Sequence, residues 1–135
     1  RLLWTIKNKK MIKGFEKYTH ELTDVELHKV LPIVIKGLSN KIGKHSAVSN
    51  KFICDTLNAK QMFGKYKLTS PRIRKIINHI RMTGVLLHLC SCQKGYFVAK
   101  TKDEFFEYLD GLGQRIDSQQ HVHDALIFQL KNFSQ

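Results

Sequence analysis

Residues Leu68 to Gly84, LTSPRIRKIINHIRMTG, constrain the fold more than any other stretch of the chain. Wound at about 100° per residue, Ile73, Ile76, Ile77 and Ile80 fall on one narrow stripe. A helix here must therefore be anchored by branched aliphatic side chains. Its opposite side carries Lys75, Asn78 and Met82, flanked by Arg72, Arg74, His79 and Arg81. A helix that only filled a core would need the isoleucines and would have no use for so many cations. The limits of the helix are also written locally. Ser70 is a suitable N-cap, and Pro71 suits the first helical position, where a missing N–H costs nothing. Gly84 can take the left-handed conformation that ends a helix.

Charge reinforces this reading. The 135 residues include 23 Lys/Arg and 11 Asp/Glu, a net charge of +12. From Lys36 to Arg81 there are eleven cations and a single acid, Asp55, whereas residues 101–135 hold three cations and six acids. A field of that size attracts polyanions, of which nucleic acid is the commonest.

The remaining segments fall into place around this helix. In LTDVELHKVLPIVIKGLSNKIG, Thr23 and Glu26 form a capping box. Leu27, Val30, Leu31, Val34, Ile35 and Leu38 then follow helical spacing, and Pro32 inside that pattern predicts a kink or a break. VSNKFICDTLN reads as a short helix capped by Ser49 or Asn50, with Phe52, Ile53 and Leu57 inward and Cys54 packed beside them. AKQMFGKYKLT reads as a loop carrying Lys60, Lys65 and Lys67. Residues 85–91 and 95–100 have strand composition and can pair as a hairpin across Gln93, Lys94 and Gly95. From Thr101, a good N-cap, a final helical region runs to the C-terminus with Phe105, Leu109, Leu112, Ile116, Val122, Leu126 and Leu130 at threes and fours. Gly111 and Gly113 weaken its middle and allow a bend.

The fold class this predicts is α+β, mostly α. Residues 1–20 form an N-terminal arm, 21–100 a winged helix-turn-helix domain with a two-stranded hairpin wing, and 101–135 a long C-terminal helix. Met11 is a candidate natural start, with residues 1–10 then coming from upstream sequence. The runs LTSPRIRKIINHIRMTG and KGYFVAKTKDEFFEYLDGLGQRI together resemble the small winged helix-turn-helix DNA-binding proteins of tailed bacteriophages and prophages, over roughly Leu22 to Leu126. That resemblance implies a DNA-binding fold and little about pathway. Cys90 and Cys92 in the hairpin depart from the pattern.

The sequence therefore predicts a non-catalytic protein that binds double-stranded DNA, a phage-type transcriptional regulator or replication accessory. Helix 70–83 would enter the major groove, where Arg or Lys pairs with guanine and Asn with adenine. Arg72, Lys75 and Asn78 are the candidate base readers, with Arg74 and His79 adjacent. Ser70 and the helix N-terminus suit a phosphate. Lys94 at the hairpin tip, and Lys44, Lys51, Lys65 and Lys67, are candidate backbone contacts. Arg81, beside the isoleucines, is as well suited to packing as to DNA.

His88, Cys90 and Cys92 alternate, but Cys-x-Cys in a strand makes a poor zinc site, and the thiols are better read as small packed hydrophobes. No metal, cofactor or catalytic constellation is expected. Three cysteines without framework spacing suit a reducing compartment, the cytoplasm of a bacterial host, and no segment is apolar enough to span a membrane. The alternative is a protein–protein adaptor on the same scaffold that acts on a host complex. Its motivation is the C-terminal helix, where Phe105, Phe106, Tyr108, Ile127, Phe128 and Phe133 exceed what one face can bury. The same excess predicts a homodimer through that helix under the DNA-binding reading.

Overall fold

The computed structural model describes residues 22–133. The expected arm, 1–20, lies outside them. The described chain is mostly helical, with four α-helices and one two-stranded antiparallel sheet. It begins with a π-helical turn, Glu26–Val30, that runs directly into α1, Leu31–Leu38. Pro32 explains the change of helix type. It has no N–H to give the carbonyl four residues back, and its ring crowds that carbonyl. The chain widens just before the proline and resumes as an ordinary α-helix with Pro32 in its first turn.

Helix α2, Asn50–Ala59, is capped by Ser49, whose hydroxyl accepts the Phe52 amide at 3.0 Å. Ile53, Cys54 and Leu57 face inward, while Phe52, expected among them, is 54% exposed. The inner face is centred between Ile53, Leu57 and Cys54, and at about 100° per residue Phe52 falls on the far side of Ile53 from it. Helix α3 spans Ser70–Thr83 and ends at Gly84, whose φ of 72° is left-handed. The cap position falls one residue earlier than expected, on Thr69, so Ser70 is the first helical residue. All four isoleucines are buried in full, and they join Val30, Val34 and Leu38 of the first helical segment, Leu57 of α2 and Leu89 in one core. Each such side chain contributes about 1.5–3 kcal/mol by leaving water.

The hairpin is shorter than expected. Strands β1, Leu89–Cys92, and β2, Gly95–Val98, pair with Leu89 opposite Val98 and Cys92 opposite Gly95, leaving Gln93 and Lys94 as a two-residue turn. Residues 85–88 are not strand. After Gly84 the chain turns again at His88, whose φ is +62°, and only Leu86 of the apolar run packs on the core, leaving Val85 and Leu87 exposed. The segment between α1 and α2 lies along the hairpin's other edge. Val48 and Tyr96 exchange both backbone hydrogen bonds, at 3.0 and 2.8 Å, and Val98 accepts the Gly43 amide at 2.8 Å and donates to Lys41 at 2.7 Å. This docking covers an edge that would otherwise template aggregation.

Helix α4, Lys102–Phe128, is capped by Thr101, which accepts the Glu104 amide at 3.1 Å. It passes Gly111 and Gly113 without interruption. None of its residues is buried. Only its first three turns touch the body, where the His88 ring meets Phe105 edge-on at 4.9 Å and Arg81 lies over the Tyr108 ring at 5.4 Å. From Gln114 to Phe133 every residue is exposed. At about 1.5 Å per residue the helix is an arm roughly 40 Å long.

Gly95 is the point at which the hairpin meets the body. Its φ is +132°, and a Cβ there would lie 2.0 Å from the Val48 carbonyl oxygen. Gly95→Ala therefore unseats the hairpin, with an expected loss above about 3 kcal/mol in thermal unfolding and faster amide exchange at Val48 and Tyr96. Gln93→Ala, in the exposed turn, leaves both unchanged.

Candidate nucleic-acid interface

A lone acid on an apolar helix face sits at the centre of the arrangement. Glu26 is fully buried, the one charged side chain in the apolar core among the described residues. The expected capping box forms: the Thr23 amide donates to Glu26 Oε1 at 2.8 Å, and the Thr23 hydroxyl accepts the Glu26 amide at 3.2 Å. Two further groups converge on the same carboxylate. The Tyr66 hydroxyl donates to Oε2 at 2.5 Å. Arg72 grips both oxygens, Nε to Oε2 at 2.7 Å and Nη2 to Oε1 at 2.5 Å. Four donors fill the four lone-pair positions of the carboxylate, so the buried charge is fully satisfied.

The electrostatics follow from that count. Burial pushes the Glu26 carboxyl upward, but the bonds from Arg72, Tyr66 and Thr23 outweigh it and hold the group at about 2, against an ordinary 4.5. Burial, and then donation to Glu26, raise the Tyr66 phenol, so it remains a donor. The hydrogen bonds to Glu26 hold Arg72 more firmly in its charged form.

Arg72 was the first candidate base reader. Its guanidinium fork, the part that would pair with guanine, is instead turned to Glu26 and ties α3 to the π-helical turn. His79 is also displaced from the expected face. It is half-buried, burial lowers its pKa, and its Nδ1 has no protein partner among the described residues. Ser70 is half-buried, and its hydroxyl lies against the Cys54 thiol, whose pKa is raised by burial and lowered in part by that contact. Arg81 takes the packing role. Its Nε donates to the Leu89 carbonyl at 3.1 Å, pinning the hairpin to the end of α3.

The outward face of α3 is left to Arg74 and Asn78, both exposed and one turn apart, with Lys75 half-buried alongside and Met82 one turn further. Lys94 is exposed in the hairpin turn, and Lys65 and Lys67 are exposed in the loop before α3. That loop has a fixed shape, because the Asn58 side chain both donates to the Leu68 carbonyl and accepts its amide, each at 2.8 Å. Lys51 is exposed and pairs with Asp55 at 2.6 Å along α2, and Lys44 lies 3.6 Å from Glu107. Such exposed pairs are worth less than about 1 kcal/mol and exchange readily for phosphate.

Acids near the hairpin have structural partners. Glu104 accepts the Lys100 amide at 2.8 Å and the Lys44 amide at 3.2 Å, and the first of these leads the lowering of its pKa. Cys90 is buried and its thiol is pushed up to about 11, chiefly by burial. Among the described residues no group of three or more His, Cys, Asp or Glu could hold a metal ion, and no helix is long and apolar enough to cross a membrane. No family model, curated protein or solved structure matches the chain.

Two outcomes are expected of the Glu26 node. A carboxylate held at about 2 stabilises the fold fully above its unfolded value near 4.5, and that contribution is lost as the pH falls from there toward 2. The loss amounts to about 3 kcal/mol, and Glu26→Gln should both lower stability at neutral pH and flatten this acid limb in urea titrations. Separately, Arg72→Ala strands a buried charge and should cost about 3–5 kcal/mol, with Arg72→Lys only a partial rescue because lysine lacks the fork. Arg74→Ala should stay within about 0.5 kcal/mol of the parent. Equal losses at positions 72 and 74 would contradict this division of labour.

Proposed function

We propose that the protein is a non-catalytic, winged-helix reader of double-stranded DNA, a phage-type regulator or replication accessory. Four features support the winged-helix part. The helical order is that of a winged helix, α2 packs on α3, a hairpin follows α3, and Ile42 and Val48, on either side of the 3-10 turn Lys44–Ser46, each bridge to β2 of that hairpin. The observation that carries the functional part is the exposed Arg74–Asn78 stripe on a helix whose other side is locked by four buried isoleucines. A rigidly seated helix holds its reading side chains in register, which base recognition needs. Arg74 suits guanine and Asn78 suits adenine, with Lys75 between them. Lys65, Lys67, Lys94 and Lys51 then act on phosphates, positioning without specifying.

In this reading Arg72 sets the angle of α3 and does not touch bases. An adaptor acting on a host protein draws on the apolar surface of α4, but it leaves the Arg74–Asn78 stripe without a role.

The test is selection from a random-sequence duplex pool, followed by anisotropy over a salt series. Selected sequences should bind tightly, with a steep salt slope. Arg74→Ala and Asn78→Ala should each weaken the selected site by about 5- to 150-fold and relax the preference at one base pair. Lys94→Ala should weaken all duplexes alike and reduce the salt slope by about one. A folded Arg74→Ala/Asn78→Ala double variant that keeps full affinity and preference would end this proposal.

A further inference from the structure

The arm formed by α4 has a pattern that its own domain does not use. Leu109, Leu112, Ile116, Gln119, His123 and Leu126 follow one another at intervals of three, four, three, four and three residues. Leu130, in the terminal 3-10 turn Gln129–Asn132, and Phe133 just beyond it continue the alternation. This is the seam of a coiled coil, narrower than the stripe a helix shows to a globular core. All of these side chains except Gln119 and His123 are apolar, and all are exposed. Val122 and Ile127 flank the seam and are also exposed. Asp110, Asp117 and Asp124, spaced by sevens, run along another face, so no carboxylate lies in the seam.

We infer that the seam is filled by the same helix of a second copy of the chain, running antiparallel. The pattern is its own complement in that arrangement. When Ile116 faces Leu126 of the second copy, Leu112 faces Leu130, Leu109 faces Phe133, and Gln119 faces His123. Apolar meets apolar in every layer, and the two polar residues meet each other twice across the two-fold axis. A shift of one heptad in either direction sets Gln119 or His123 against an aliphatic side chain. Polar residues at a seam fix register in this way, at some cost in stability.

Charge selects the antiparallel over the parallel form, which would also match layer to layer. Residues 22–100 carry 14 Lys/Arg and three Asp/Glu, so two bodies held side by side would repel. The antiparallel form puts them at opposite ends. It also avoids setting two His123 side chains against each other. Seam and flanks, about half-exposed in one copy, supply on the order of 1,000 Å² of buried surface when doubled, the level a biological interface must clear. This inference does not depend on DNA binding.

The test uses the full chain. Light scattering at tens of micromolar should give twice the 15.7 kDa chain mass. Ile116→Asp/Leu126→Asp should give a monomer with unchanged thermal unfolding of the body, because both residues lie beyond the turns of α4 that touch it. In a Cys92→Ser background, Gln119→Cys and His123→Cys chains should form a disulfide only when mixed, because only that pair brings two Cα atoms within the roughly 7 Å a disulfide spans. A monomeric parent, or a dimer that survives the double aspartate variant, would overturn the seam. Cross-linking of each cysteine variant to itself would overturn the antiparallel form.

Discussion

One buried carboxylate organises the body of this protein. Glu26 accepts from Thr23 just before the π-helical turn, from Tyr66 in the loop and from Arg72 near the start of α3. Tyr66 and Arg72 lie 40 and 46 residues from Glu26 in sequence. A buried ion pair of this kind is weak support for net stability, since an apolar cluster of equal volume does as well. Its value is directional. A fork gripping two oxygens adds a directional restraint on the rotation of α3 to the packing of the isoleucine stripe. Once that rotation is fixed, Arg74 and Asn78 must point outward.

The trade explains why Arg72 was misleading in the sequence. On a helical projection it lies at the border between the isoleucine stripe and the polar side, where angle alone does not decide whether a long side chain reaches in or out. Its partner lies 46 residues away. A signal was present on the other side of the bond. Glu26 stands one turn before Val30, on the apolar stripe, and a carboxylate in that position requires a cation. The Thr23–Glu26 spacing was legible as a capping box, and that local role masked the long-range one.

Elsewhere, local rules sufficed wherever the cause was local. The isoleucine stripe, the cap at Thr101, the left-handed end at Gly84 and the placing of the hairpin turn at Gln93 and Lys94 follow from neighbouring residues, although Gly95, expected in that turn, belongs to β2. The errors lie where a distant contact decides. The run after Gly84 has strand composition, but β2 is paired on its far edge by the Val48 segment, and the chain reaches β1 only after the turn at His88. Phe52 has the composition of a core residue and loses its place to Ile53 beside it. The periodicity of α4 was legible, but periodicity states that a face is to be covered and is silent on whether the cover belongs to the same chain.

The basic body and the acidic arm are bound together by geometry. In the antiparallel pair the two-fold axis passes near residue 121, about nineteen residues from the start of α4, so the two attachment points stand roughly 55–60 Å apart along the arms. Each body then has its own width over which to bring α3 back toward the axis. Two-fold related reading helices meet DNA on one face when they are separated by about one or two helical turns, roughly 34 or 68 Å. The arm length lies between these values, so the proposed dimer would have either spacing within reach. Under the proposed reading, the choice between them would depend on the angle at which α4 leaves the hairpin. That angle is held by Arg81, which donates to the Leu89 carbonyl on one side and lies over the Tyr108 ring on the other. The side chain that anchors the hairpin to the end of α3 is therefore also the one that aims the arm.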